Sequence, residues 1–377
     1  MTGQRITEQR IPEQRIPEQR TTAPRLGYFT RLLDDTAPRE RYRNALAQFI
    51  RAEELGFDTA WVAQHHFHRD EGGLPAPFVF LAQAAATTSR ITFVTGIITL
   101  PLEAPLRVAE DAAVLWLLAD GRFELGIGSG GTASSFPPFG QDARDRSAVY
   151  AAQKETVLRA LRGDVLTSDG GALYPPAPDL VDSLWEATFS AEGGARIGRE
   201  GHGLMLSRTQ PRHEYTGRGS ADDQVAIVDA HAAALPAGVA PRVMASRSVL
   251  VVDTDEQARH LRDRGIERAR QMLAAQGVTV PDRADSELAA FLDLHVGTPD
   301  QVLATLAEDP ILPRATDIVF QPHPFDPPHE VALRSLELVA TQVAPALGWS
   351  RRTDSAPPAS GRPASAPPAS ARLAALH

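Results

Sequence analysis

Residues 91–127 read ITFVTGIITLPLEAPLRVAEDAAVLWLLADGRFELGI. The β-branched run Ile91–Leu100 predicts a buried strand. Pro105–Leu118 predicts a helix with proline in its first turn, and Asp120-Gly121 then turns the chain into a second strand, Arg122–Ile127. A strand, a crossover helix and another strand make a βαβ unit, which implies parallel strands.

The same alternation extends in both directions. Upstream, the sequence predicts strand Leu26–Phe29, helix Arg39–Leu55, strand Thr59–Ala63 and helix Pro77–Thr88. Thr36 and Pro38 suit the start of the first helix and Gly56 its stop. Downstream come helix Ser147–Leu161, strand Glu186–Ser190, helix Ala195–Glu200 and strand Leu204–Ser207. Helix Ala221–Ala234, strand Arg247–Val252 and helix Glu256–Ala275 follow, then helix Pro299–Leu306, strand Asp317–Gln321 and helix His329–Ala344. Eight strands alternating with helices predict a (β/α)8 TIM barrel, an α/β fold with loop insertions around 132–146 and 166–185. A doubly wound open sheet is the alternative, and would want fewer strands and one switch point.

The ends read differently. Residues 1–25 repeat ITEQR and IPEQR, too short a unit for a solenoid, and residues 351–377 repeat PPAS. Both are expected to be disordered tails flanking one domain over 26–350. The tails carry +2 (five Arg, three Glu) and +3 (four Arg, one Asp), so residues 26–350 hold −14 beneath a total of −9. This acidic body argues against nucleic acid as a partner. No cysteine is present, which excludes disulfides, thiolate metal sites and a thiol nucleophile. No run approaches the ~18 apolar residues of a membrane span, so a soluble, cytoplasmic protein without a membrane partner is expected.

Barrels of this kind do their chemistry at the C-terminal ends of the strands. Gln64-His65-His66-Phe67-His68 follows directly on one strand, and histidine exchanges protons near neutral pH. A metal reading would use His66 and His68 with His323, His329 or Asp326, but the proline-rich PHPFDPPH around those residues looks like a rigid loop, and no metal is assigned. Gly126-Ile127-Gly128-Ser129-Gly130-Gly131 fails the dinucleotide pattern because no helix opens at once. Its glycines suit a loop against a flat ligand, with the Ser129 hydroxyl as donor. Ser190 through Arg196 places small residues at a helix start, where free N–H groups favour a phosphate; a tight capped turn is the plainer alternative.

Three segments together resemble the bacterial luciferase-like flavin monooxygenase family: AEELGFDTAWVAQHHF at 52–67, ATTSRITFVTGIITLPL at 86–102 and PLRVAEDAAVLWLLADGRFELGIGSG at 105–130. HVGTPDQVLATL at 295–306 is similar to the family's near-terminal segment, and 187–211 to a subgroup of FMN-dependent members. The resemblance implies an FMN-dependent monooxygenase that takes reduced FMN and O2, activates oxygen at the flavin C4a carbon and oxidises a small organic substrate. A flavin reductase is an expected partner and a homodimer the expected assembly. An F420-dependent oxidoreductase transferring hydride, and a non-catalytic flavin-binding subunit, remain alternatives.

By residue, the resemblance makes His65 the proton-handling histidine, with His66 beside it. Gly96 and Ile97 become the strand-three bulge under the ring, often with a non-prolyl cis peptide. Gly128 and Ser129 lie beside the ring and ribityl chain, and Ser190, Gly193 and Gly194 form the phosphate turn. Phe67, Phe136 and Phe139 are expected to shield the mouth. The chain departs from the family at Gln64, where Glu is common, and at Gly128, where luciferase proper has cysteine; the latter puts light emission in doubt.

Overall fold

The computed structural model describes residues 23–208, 210–211, 219–275, 277–280, 285–322 and 327–351. The strands are β1 (Arg25–Thr30), β2 (Thr59–Val62), β3 (Thr92–Thr95), β4 (Ile98–Thr99), β5 (Phe123–Glu124), β6 (Gly126–Gly128), β7 (Trp185–Ala187), β8 (Gly203–Leu206), β9 (Val243–Val251), β10 (Leu294–Gly297) and β11 (Asp317–Gln321). β3 and β4 are one strand broken at Gly96-Ile97, and β5 and β6 are one strand broken at Leu125. With that reading every neighbour is parallel and the ring closes: β1 pairs β2 and β11, β2 pairs β3, β3 pairs β5, β4 pairs β6, and β6 runs through β7 and β8 to β9 and β11. The expected eight-stranded parallel barrel is the fold.

The helices around it are α1 (Pro38–Leu55), α2 (Pro77–Thr87), α3 (Pro105–Leu118), α4 (Arg146–Arg162), α5 (Asp179–Asp182), α6 (Ala191–Arg199), α7 (Ser220–Ala234), α8 (Asp255–Ala275), α9 (Asp285–Phe291), α10 (Pro299–Leu306) and α11 (His329–Leu338). Gly56 does stop α1: its φ of 94° is left-handed, and its N–H reaches the carbonyls of Ala52 and Glu53. Thr36 lies outside the helix, whose N-cap is Ala37.

Several elements differ from expectation. α6 opens at Ala191, because Ser190 caps it. β9 begins at Val243 rather than Arg247 and outruns the barrel, and its far half takes β10 as an additional parallel strand, from Leu294 beside Ser248 to Gly297 beside Val251. α11 ends at Leu338 and continues as a wider turn over Val339–Val343. The 166–185 insertion precedes β7 and therefore lies at the opposite end from the strand C-termini. Arg242, just ahead of β9, confirms this by donating to the carbonyls of Asp182 and Ser183.

Inward side chains fill the barrel. Phe29, Trp61, Ala63, Val94, Trp185, Met205, Met244 and Val319 form one buried cluster, and the Trp61 and Trp185 rings meet edge to face at 5.7 Å. The N-terminal end is plugged by charge. Arg25 lies 2.7 Å from both Glu124 and Asp317, Trp185 Nε1 donates to Glu124 at 2.6 Å, and the Arg242 guanidinium stacks 4.3 Å over the Trp185 ring. Burial pushes the Glu124 carboxyl up, but Arg25 outweighs it and holds the group below its usual range.

A second buried network fastens two helices to the barrel wall. Glu186 alternates with the inward Trp185 and Ala187, so it faces outward, fully buried. It receives Tyr150 Oη (2.5 Å) and Lys154 Nζ (3.2 Å) from α4, Arg196 Nη1 (2.7 Å) from α6 and His202 Nδ1 (2.8 Å). Lys154 and His202 also reach Glu200. Burial lowers the His202 pKa, but its bonds to Glu186 and Glu200 outweigh that and raise it above the ordinary value. A folded pKa above the unfolded one contributes stability fully present below pH ~6.5 and lost as pH rises through the folded value. His202→Gln should therefore lower the melting temperature by roughly 3–8 °C at pH 6, following a charged buried hydrogen bond of about 1.5–3 kcal/mol. The gap to wild type should narrow toward pH 9, and a gap independent of pH in calorimetry would contradict the assignment.

Candidate active site

Among the described residues, the connections after β2, β6 and β7 lie at the strand C-termini. After β2, Gln64 turns away from the mouth and braces it. Its Oε1 accepts the Thr99 N–H at 2.7 Å, while its Nε2 donates to Glu103 Oε1 at 2.6 Å and to the Pro75 carbonyl at 3.2 Å. The position thus needs a donor and an acceptor together, which an amide supplies and a carboxylate does not. A Glu here would set two carboxylates against each other, so Gln64 is matched to Glu103, whose pKa burial already raises.

His65 continues the inward alternation of Trp61 and Ala63. Arg31, following the inward Phe29 of β1, donates from Nη2 to His65 Nε2 at 2.8 Å. A guanidinium only donates, so Nε2 is the acceptor and the proton resides on Nδ1, 3.9 Å from Glu71 Oε2. Burial, then the charges of Arg31, His66 and Arg208, push the His65 pKa down to about 2. The imidazole is therefore neutral across the physiological range, a fixed hydrogen-bonding group that is a weak base.

His66 packs its ring edge-on against Phe139 at 4.8 Å, with Phe67 at 5.9 Å, and burial lowers its pKa. Its Nε2 is buried with no hydrogen-bond partner among the described residues. Phe67 has φ 65°, a left-handed conformation disfavoured for a bulky residue, and is 66% exposed. His68 lies 2.9 Å from Ser134 Oγ, and Thr132 donates to Glu71 at 2.7 Å, so the β2 and β6 connections are joined over the mouth. Phe136 does not share the shielding expected of it: it is buried to 1% exposure beneath the loop, leaving Phe67 and Phe139 on the surface.

Among the described residues, no group of potential metal ligands includes His66 or His68. His68 lies 2.9 Å from Ser134 Oγ and His329 Nδ1 3.2 Å from Gln48 Nε2, while His323 and Asp326 fall outside the described residues. Among the described residues the metal-capable trio is Glu186, Glu200 and His202, where Lys154 and Arg196 already supply the positive charge.

At the ends of β4 and β6 the strands pack closely around two glycines. Gly96-Ile97 is a cis peptide, and Gly128 faces Ile97: a Cβ there would come within 2.5 Å of Ile97 Cδ1. Ile97 and Ala187 pack on the barrel core beneath. Ser129 follows at the strand end.

After β7, the expected phosphate turn is rearranged. Ser190 Oγ accepts the Gly193 N–H at 3.1 Å, and the Gly194 N–H bonds the Ser190 carbonyl at 2.9 Å. Both glycine N–H groups are committed; the N–H groups of Ala191 and Glu192 and the Ser190 hydroxyl proton remain at the helix start. The glycines serve packing, since a Cβ would meet Thr188 Oγ1 at 2.0 Å from Gly193 and the Ile227 carbonyl at 2.5 Å from Gly194. Arg196 is held by Glu186 and points away from this turn. The sequence reading missed two residues. Arg31 is betrayed only by its place one step past an apolar strand, and Arg208, 7% exposed, by its place just past β8.

No helix among the described residues is long and apolar enough to cross a membrane. Residues 25–310 match the family model for luciferase-like monooxygenase. An uncharacterized protein, y4vJ of Sinorhizobium fredii, is 34% identical over 173 residues, covering 44% of this chain and 49% of its own. The F420-dependent glucose-6-phosphate dehydrogenase of Beutenbergia cavernae is 32% identical over 204 residues, covering 51% of this chain and 59% of its own. The chain thus spans about half the length of these relatives. In structure, the oxygenating constituent of 3,6-diketocamphane monooxygenase from Pseudomonas putida, in complex with FMN, aligns with TM-score 0.67 at 19% identity over 86% of this chain and 99% of that one, a likeness of fold. With the closed barrel and the family match over most of its length, the chain belongs to the luciferase-like monooxygenase family.

Proposed function

We propose that this protein is a flavin-dependent monooxygenase that uses reduced FMN and O2 to oxidise a small organic substrate, with the reduced flavin delivered by a reductase or regenerated with NAD(P)H. The observation that carries the reading is the family match over residues 25–310, with Gly96, Ile97 and Gly128 packed closely together at the strand ends beside Ala187. Bound reduced FMN would supply the electrons and the point of oxygen activation. The chain's own residues do the rest. Ile97 and Gly128 support one ring face, Ser129 borders the ribityl chain, and the Ser190 hydroxyl with the first N–H groups of α6 holds the phosphate. Phe67 and Phe139 keep water from the mouth. His65, kept neutral by burial and then by Arg31, carries its proton on Nδ1 and orients what binds there.

F420 is the second reading, favoured by the similarity to the F420-dependent dehydrogenase. Equilibrium titration of the purified chain with FMN and F420, followed by oxygen uptake with the reduced form, separates them: FMN binding with substrate-dependent oxygen consumption is expected, and F420 binding with substrate oxidation in the absence of oxygen replaces the first reading by the second.

Two further outcomes follow. His65→Ala should leave FMN affinity within about threefold and reduce substrate oxidation by roughly 10²-fold, the scale of a fixed hydrogen-bond donor removed from a reacting site. Because the His65 pKa is near 2, turnover of the wild type should show no titration between pH 5.5 and 8 that the variant abolishes; such an inflection would restore His65 as an ordinary general base.

The assembly is inferred to be a homodimer through α2 and α3, where Val79, Leu106, Val114, Leu117 and Leu118 are exposed, Leu118 by 62%. Leu117→Glu with Leu118→Glu should convert a dimer to a folded monomer in light scattering. A monomeric wild type refutes the inference.

A further inference from the structure

Above the apolar floor of the barrel, the inward face of two neighbouring strands turns polar. Met244 of β9 and Val319 of β11 belong to the buried cluster inside the barrel. Side chains alternate along a strand, so Ser246 and Ser248 follow Met244 on the inward face, and Gln321 follows Val319. β9 and β11 are parallel partners, with Gln321 beside Ser248. Gln321 Nε2 donates to Ser246 Oγ at 2.7 Å, so these side chains do share one face. Two residues beyond Ser248, Leu250 enters a second apolar cluster, with Leu261 and Ile266 of α8 and Leu288 and Phe291 of α9. Three polar side chains thus separate two apolar clusters.

Two of their polar atoms are unmatched. Gln321 is 5% exposed and Ser248 1%, yet neither Gln321 Oε1 nor Ser248 Oγ has a hydrogen-bond partner among the described residues. A buried polar atom without a partner is unfavourable, and an aliphatic side chain at either place would join the two clusters without that cost. The bond to Ser246 fixes the amide, so Gln321 Oε1 is held in one place with its lone pairs available. Gln321 lies one step past the Tyr28–Phe320 pair, which sets it beside Phe29. Phe29, Arg31 and Gln321 line one cleft of about 300 Å³, counting its opening to solvent. Phe29 also reaches Gly96, where a Cβ would come 2.8 Å from Phe29 Cε2. One phenyl ring thus stands between Gln321 and the Gly96-Ile97 strand break.

We propose that Gln321 and Ser248 form an uncharged hydrogen-bonding subsite that takes a hydroxyl group of the substrate. A hydroxyl both donates and accepts, so one group gives its proton to Gln321 Oε1 and takes the Ser248 O–H. Adjacent strands lie ~4.8 Å apart, a separation that a single oxygen bridges between two side chains. A carbonyl satisfies Ser248 and leaves Gln321 Oε1 unmatched, and a carboxylate sets its charge against that oxygen. The subsite therefore selects alcohols over ketones and acids of the same skeleton. Both residues determine specificity; neither is assigned a part in oxygen activation. The proposal rests on the flavin reading only in calling the occupant a substrate.

The test uses the full, cofactor-free chain and two probes of one skeleton, butan-2-ol and butan-2-one. Each is titrated while the glutamine side-chain amides are followed by NMR, the Gln321 signal being assigned by its loss in Gln321→Leu. Butan-2-ol should shift the Gln321 signal saturably and bind at least about fivefold more tightly than butan-2-one, the scale of one neutral hydrogen bond. Ser248→Ala and Gln321→Leu should each bring that ratio to about one with unchanged far-UV circular dichroism. No saturable shift with butan-2-ol means that the two atoms hold ordered water only, and overturns the subsite. Equal affinity for the two probes in wild type, or a preference for the ketone, overturns it as well. If Gln321→Leu fails to fold, Gln321→Glu assigns the signal and Ser248→Ala decides the ratio. If neither FMN nor F420 binds while the alcohol preference holds, the proposed function fails and the subsite stands; FMN binding without any alcohol preference gives the reverse.

Discussion

The barrel closes through one threonine. Thr95 ends β3 where its strand is interrupted, and its hydroxyl donates to the Gly126 carbonyl at 2.9 Å and takes the Gly126 N–H at 2.8 Å. Two strands, each broken at one point, are thereby locked break to break. Gly126 is the residue that permits it, because a Cβ there would come 1.8 Å from the Thr95 carbonyl oxygen. Without this contact β3 with β5 and β4 with β6 would be separate ladders, and the wall made by Ile97 and Gly128 would have no fixed position. Closure and the strand ends share one constraint: only glycine at 126 and 128 lets the broken strands and Ile97 pack this closely.

That coupling explains why so much was legible in the sequence. A parallel strand buried on both faces has to be a short apolar run, and the helices between have to return the chain, so the alternation from Leu26 to Gln321 specified the barrel almost by itself. The reading failed where a local pattern serves more than one physical end. Gly193-Gly194 suits a phosphate turn and also suits a helix pressed against its neighbour; α6 packs so tightly on α7 and Thr188 that the second use prevails. LHVG at 294–297 was too short to separate from a loop, and became a strand because β9 runs past the barrel and offers it a partner. The 166–185 insertion precedes β7, so it belongs at that strand's N-terminal end, away from the strand C-termini.

Charge tells a similar story. The acidic body keeps cations inside the barrel at both of its ends, with opposite consequences. At the N-terminal end Arg25 is surrounded by Glu124 and Asp317, so the ends of β1, β5 and β11 are fixed and the interior is sealed. At the C-terminal end Arg31 donates to the His65 imidazole, a contact that orients the guanidinium toward the β2 strand end. Composition alone could not distinguish the two arginines, since both flank the same strand, six residues apart in number and at opposite ends in space.

The histidine pair illustrates how context can redefine a motif without removing it. Adjacent residues on a strand's run-out face opposite sides, so His65 and His66 cannot share one environment. His65 enters the mouth and meets Arg31, which claims its lone pair and suppresses its protonation. His66 turns to the covering loops and becomes part of an aromatic group with Phe67 and Phe139. Gln64 completes the division by facing Thr99 and Glu103, binding the β2 end to the chain that follows β4. Three consecutive polar residues thus hold three different neighbours. Their combined effect is to tie the end of β2 to β1, to β4 and to the covering loops at once.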